Sequence, residues 1–172
     1  MSERFRIRPA VESDAAVLLS LIRELAEYER LLHEVSADEE AVRKTLFGEN
    51  PCAEALIGEL DGEPIAFALF FQTYSTFLGK PGLWLEDLYV QPQHRRQGYG
   101  GQLLKHVAMT AEKRGCGRFE WTALDWNEPA VNFYLKIGAV PMSDWTTFRL
   151  SGDALRDFIR GEDAPPRRRH PQ

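Results

Sequence analysis

Cysteine is scarce: 2 in 172 residues. Cys52 and Cys116 stand alone, without the ligand spacing of a metal site, and two isolated thiols fit a reducing, cytoplasmic setting rather than a disulfide framework. No metal is expected. No apolar run approaches the ~18 residues that span a bilayer, and the N-terminus lacks a signal-peptide pattern, since Arg4-Phe5-Arg6-Ile7-Arg8 reads as a strand. A membrane partner is therefore not expected. Net positive charge is also missing: the formal charge is −5, and −8 once Arg167, Arg168 and Arg169 are set aside. An acidic body argues against nucleic acid and for a cationic small-molecule partner. Internal repeats and linkers are absent too. The length suits one α/β domain with a sizeable core, placed at residues 1–160, with a proline- and arginine-rich tail at 161–172 expected to be disordered.

What is present concentrates in residues 83–111. Leu83 to Val90 is apolar and aromatic, as in a strand buried on both faces, yet Glu86 and Asp87 sit in its middle. Leu103, Leu104, Val107, Ala108 and Ala111 then recur at helical spacing. Gly98, Gly100 and Gly101 fall where that helix begins. N–H groups there lack intrahelical partners and lie at the positive end of the helix dipole, and glycine lets a phosphate come close to bare main chain. The pattern is an anion cradle beside a buried acid.

Lysine and Ser/Thr do not follow the glycines, which excludes a nucleoside-triphosphate loop. A dinucleotide fingerprint needs a third small residue where Leu103 stands, and its strand should be the chain's first. What remains is Arg95-x-x-Gly98-x-Gly100, between a strand and a helix. This resembles the pyrophosphate-binding signature of the GNAT superfamily of N-acetyltransferases, which use acetyl-CoA.

Along the chain, Phe5 to Arg8 is a strand ended by Pro9. Ser13 or Asp14 can cap a helix whose apolar side is Val17, Leu18, Leu21, Ile22, Leu25, Tyr28 and Leu32. Ser36-x-x-Glu39 is a capping-box signal for a second helix. Ala53–Leu60 and Pro64–Gln72 read as strands joined by Asp61-Gly62, a hairpin signal, and residues 73–82 as a loop bordering a site. Phe119–Leu124 reads as a strand, Val131, Tyr134, Leu135 and Ile137 as a short helix stopped by Gly138, Trp145–Leu150 as a last strand and Asp153–Ile159 as a terminal helix. The order is that of the GNAT fold, so the resemblance implies an α/β architecture with a mixed central sheet splayed at the acetyl-CoA site and flanked by helices. The runs Arg8-Pro9-Ala10, Leu25 to Glu29, Leu85-Glu86-Asp87 and Trp126 to Tyr134 further resemble spermidine/spermine N1-acetyltransferases (diamine acetyltransferases) and the related branch acting on thialysine.

An alkyl amine has a pKa near ~10.4 and is not nucleophilic as ammonium. Aminolysis of a thioester therefore needs a base, donors for an oxyanion and a proton for the departing thiolate. Glu86 is the candidate base, with a pKa raised by desolvation in its apolar strand; the alternative is an ion pair or a solvated strand end. Asp87, on the other face, reads as structural. The resemblance implies that the strand splays, freeing main chain at Leu88, Tyr89 and Val90 for the acetyl carbonyl and pantetheine arm, by a bulge if one is present. It implies that Arg95, Arg96, Gln97, Gly98, Tyr99, Gly100 and Gly101 wrap the pyrophosphate, the arginines adding charge; otherwise this is a basic turn before a helix. His94 reads as an exposed loop residue.

By the same correspondence Tyr134 is the general acid toward the coenzyme sulfur, against a core tyrosine, and Asn127, Glu128, Pro129 and Ala130 contact the coenzyme, against a simple helix cap. Tyr28 and Glu29 match the substrate-binding pair of diamine acetyltransferases, while Glu24 and Glu27 read as a solvated acidic face. Ser143-Asp144 stands where those relatives carry an acidic pair, which opens the way to a shorter amine or an amino acid as substrate. The function implied is acetyl transfer to a primary amine of a small cationic substrate, by a homodimer. The alternatives are an enzyme acetylating a protein amine or an aminoglycoside, and a non-catalytic acyl-CoA-binding module.

Overall fold

A computed structural model of the chain describes residues 4–161; the tail expected beyond them lies outside the described residues. The chain divides into two compact units, Met1–Leu124 and Asp125–Gln172.

The first unit holds a five-stranded mixed sheet in the order β1-β2-β3-β4-β5, comprising β1 (Phe5–Pro9), β2 (Glu54–Leu60), β3 (Glu63–Ser75), β4 (Lys80–Val90) and β5 (Arg118–Trp121). The first three pairings are antiparallel and β4–β5 is parallel. A parallel neighbour needs a crossover, supplied by α3 (Tyr99–Lys113). The expected hairpin forms at Asp61 and Gly62, whose φ values of +51° and +93° are those of a tight turn that follows the sheet's twist.

α1 (Ala15–Tyr28) lays Ala15, Leu18, Leu19, Leu21 and Leu25 with Val42 of α2 (Glu39–Phe47) against Ala55, Ile57, Phe67 and Tyr89 of the sheet. α3 covers the opposite face: a methyl group added at Gly100 would lie 3.6 Å from Leu88 and 3.7 Å from Val90, and side chains on either side of Tyr89 point away from α1. Both faces of β4 are thus occupied, as its apolar composition demands. Arg8 ties β1 to the start of α1, with Nη1 2.6 Å from Asp14 and Nε 2.7 Å from Glu59.

Several expectations change. Asp14 spends its carboxylate on Arg8 and on the Val11 N–H, 2.8 Å away, so it does not cap α1. Asp38, not Ser36, caps α2 by accepting from the Ala41 N–H at 2.8 Å. The loop expected over 73–82 is mostly strand: β3 and β4 pair through Thr73–Gly82, Tyr74–Pro81 and Ser75–Lys80. Gly82 is what permits this, because a Cβ there would sit 2.5 Å from Thr73 Oγ1. β5 ends at Trp121 rather than Leu124.

The second unit contains α4 (Glu128–Lys136) and α5 (Gly152–Arg160). Trp145–Leu150, expected as a strand, is irregular, with Trp145 73% and Phe148 90% exposed. A strand needs a ladder partner for its main-chain groups, and among the described residues none pairs with this one.

Candidate active site

The outer half of β4, the start of α3 and the end of α1 meet in the first unit. β4 is bulged there: Leu69 faces Asp87 while Phe70 faces Leu85, which leaves Glu86 as the extra residue. The Gln91 N–H donates to the Ile65 carbonyl at 3.0 Å. Residues 87, 89 and 91 therefore aim their main-chain groups at β3, and Leu88 and Val90 aim theirs at the opposite edge. Arg95 Nε reaches the Val90 carbonyl at 2.9 Å, in agreement. On that edge the ladder with β5 ends at Leu85–Trp121, and no further β4–β5 pair follows among the described residues. The sheet is open where the N–H groups of Leu88 and Val90 point. Tyr89 packs its ring into the α1 core at 4% exposure, leaving only its main chain to contribute.

The glycine-rich turn meets the other half of the opening. Arg96 and Gly98 both have positive φ, +64° and +85°. Gly98 opens α3 without a side-chain cap bond, no acid stands in the first turn, and a Cβ at Gly98 would meet nothing within 4 Å. Helix N–H groups left uncapped, beside open space, fit a diphosphate. Arg96 and Gln97 are exposed beside the turn, Tyr99 stacks on Phe5 with centroids 4.2 Å apart, and Gly100 and Gly101 lie in the first turn. Arg95, expected to face the anion, has its guanidinium turned inward, 4.2 Å above the Tyr28 ring and 5.5 Å from that of Tyr89. His94 ends a short 3-10 turn and is half-buried rather than exposed.

The acid expected to be buried is not the one that is. Glu86 is exposed, with Trp84 Nε1 donating to its Oε2 at 2.9 Å; the bulge lifts it out of the regular ladder. Asp87, expected to be structural, is half-buried, and its carboxyl is pushed up to about 6 by burial, then by the charges of Glu86 and Glu29. Burial also raises Glu29. Three carboxylates thus share one locale beside Tyr28, a pattern that a bound cation would relieve. Asp87 is the candidate that sequence reasoning missed; the adjacent acids carried the signal, but the bulge that sorts them is not visible in residue types. Glu24, expected in solvent, is half-buried and accepts from Tyr89 Oη at 3.3 Å and Gln91 Nε2 at 3.2 Å, whereas Glu27 is exposed.

In the second unit Asn127 precedes α4 without a side-chain cap bond, Glu128 and Pro129 begin the helix, and Ala130 is half-buried. Tyr134 is half-buried, and burial raises its phenol above the ordinary range.

Residues 18–139 match the acetyltransferase (GNAT) family. The chain belongs to this family. Thialysine N-epsilon-acetyltransferase of Mus musculus is 42% identical to this acetyltransferase over 89% of the chain and 96% of its own length. L-ornithine N5-acetyltransferase of Arabidopsis thaliana is 32% identical over 88% and 86%. A spermidine/spermine N(1)-acetyltransferase-like protein of Homo sapiens is 31% identical over 90% of the chain but only 24% of its own length. Among solved structures, an integron cassette protein from V. cholerae superposes with a TM-score of 0.77 at 24% identity, covering 91% of this chain and 98% of that one. An aminoglycoside N-acetyltransferase solved with CoA gives 0.70 at 17%, covering 87% and 97%; at such identities the likeness shows the GNAT fold alone. The acetyltransferase is thus an enzyme of the N-acetyltransferase class, and the mixed sheet flanked by helices is the architecture expected from its motifs. Among the described residues no helix is long and apolar enough to cross a membrane.

Proposed function

We propose that this acetyltransferase carries acetyl from acetyl-CoA to a primary amine of a small cationic substrate, thialysine-like or a diamine or polyamine. The observation that carries the reading is the coincidence, around the outer half of β4, of a sheet edge opened past Leu85, an uncapped helix start and three clustered acids. In this reading the amides of residues 96–101 hold the diphosphate, and the N–H groups of Leu88 and Val90 hold the pantetheine arm and the acetyl oxygen. Arg95 contributes through its main chain, since its side chain is engaged elsewhere.

Glu86 takes a proton from the ammonium, directly or through water; its exposed position keeps it in contact with solvent, to which that proton is passed. Glu29 and Asp87, beside Tyr28, hold the remaining positive charge of the substrate. From the second unit, the family correspondence offers Tyr134 as proton donor to the departing sulfur and Asn127 to Ala130 as coenzyme contacts. A thiol with a pKa near ~8.5 leaves readily, so that donor's share is modest. We further take residues 1–160 as one catalytic domain, the enzyme as cytoplasmic, and its working form as a homodimer, for which the exposed Val140, Trp145 and Phe148 supply apolar surface.

Turnover of acetyl-CoA, followed by release of free thiol, tests the reading against thialysine, ornithine, spermidine, an aminoglycoside and a lysine-containing peptide. Turnover with the small aliphatic amines is expected. Acetylation of the peptide or the aminoglycoside alone would overturn it.

A further inference from the structure

Arg95 is the first residue of the turn assigned to the coenzyme, yet its side chain serves the other substrate's wall. Nε donates to the Val90 carbonyl at 2.9 Å, and the guanidinium lies 4.2 Å from the centre of the Tyr28 ring. Tyr28 ends α1 and adjoins Glu29, whose charge acts on Asp87. The Tyr89 ring lies 5.5 Å from the same guanidinium, and Tyr89 and Gln91 are held by Glu24 of α1. One cation therefore clamps three parts: the turn, the open edge of β4 and the end of α1.

The turn is also a strained element. Arg96 holds φ at +64°, a conformation that costs a non-glycine residue roughly 1–2 kcal/mol. It persists only while neighbouring contacts enforce it. On the proposed function the amides of this turn hold the diphosphate, and Arg95, next to its strained position, lies with its guanidinium against Tyr28. A guanidinium over a tyrosine face is attractive, and more so when partly desolvated, as here.

We infer that Arg95 is a positioning residue that makes coenzyme binding and amine binding mutually reinforcing, through Val90 and Tyr28. The inference rests on the proposed acetyl-CoA and amine sites. Coenzyme in the turn stabilises the wound form, which fixes the Tyr28 wall and Glu29 before the amine arrives; the amine, by linkage, stabilises the turn for the coenzyme.

The test is calorimetric titration of the full chain with coenzyme A and thialysine, each alone and each with the other saturating, so that no turnover intervenes. In the wild type each ligand is expected to tighten the other by the same factor, at least about fivefold, the low end of ordinary coupling. Arg95→Lys keeps the charge but loses the planar stack and the Nε bond, so the factor is expected to fall to about one. Tyr28→Leu should do the same, and Tyr28→Phe, which keeps the ring, should retain the factor. A wild-type factor of one with both ligands bound overturns the inference while leaving the proposed function standing, and it needs no variant to fold. A wild type that binds no coenzyme A overturns both. Arg95→Lys weakening both ligands with the factor unchanged shows a merely structural role and also overturns it.

Discussion

Asp87 is ionised in the folded enzyme at a cost that its replacement should reveal. Its carboxyl is raised from 3.8 to about 6, with burial the largest cause and the charges of Glu86 and Glu29 next. At about 1.4 kcal/mol per tenfold change in proton affinity, the folded state at pH 8 carries a penalty of about 3 kcal/mol. The sign follows from proton counting. Between pH 3.8 and 6 the folded chain holds a proton at Asp87 that the unfolded chain has lost, so stability falls as pH rises through this window and the loss is complete above it. Asp87→Asn removes the charge and keeps the shape. Part of the gain is offset because a half-buried amide must still find hydrogen-bond partners, so the variant should be more stable by about 1–3 kcal/mol at pH 8.

Urea unfolding of wild type and variant, followed by tryptophan fluorescence at pH 8 and again below pH 4, measures the difference. The advantage of Asp87→Asn should be present at pH 8 and vanish in acid. A difference independent of pH, or a variant less stable at pH 8, would refute the reasoning. The same substitution should raise KM for a cationic amine if, as proposed, the charge that destabilises the free enzyme also holds the substrate. Stability and affinity moving in opposite directions is what a binding acid predicts and a structural acid does not.

Glu86→Gln should lower kcat by about 10²–10⁴ while leaving coenzyme A affinity unchanged by calorimetry. Asp14→Asn, which breaks the paired contact with Arg8, should cost about 1–3 kcal/mol at pH 7. The hydrogen bond from Arg8 holds the Asp14 carboxyl below its ordinary 3.8. That stability is therefore present above pH 3.8 and lost as pH falls through the lower folded value, and acid titration of both proteins should bring their midpoints together. Gly98→Ala, at φ +85°, should lower stability by about 1–2 kcal/mol and weaken coenzyme A measurably more than thialysine.

Much of this architecture is written in local chemistry. The Asp61-Gly62 hairpin, the apolar stripe of α1 as far as Tyr28 and the glycines at the start of α3 each depend on residues close in sequence, and each appears where the residue types put it; Leu32, expected on the same stripe, lies beyond the end of α1 and is exposed. The misreading of the site's two acids has a different cause: it concerns what lies across the sheet. Alternation alone assigns Glu86 and Asp87 to opposite faces but cannot say which is buried, because the answer turns on one extra residue between Leu85 and Asp87 in the pairing with β3. That bulge also lifts Glu86 out of the ladder just where β5 falls away. On the proposed function, the residue that binds a cation and the one that accepts its proton are thereby separated by a single peptide unit, one half-buried and one exposed. A general base that must exchange protons with solvent and a binding acid that must stay near its charge cannot both occupy the same environment. An adjacent pair in a regular strand would place one of them in the α3 core, under Leu88 and Val90. The bulge avoids that, and so the placement of the two acids follows from the register of β4 rather than from the identity of its residues.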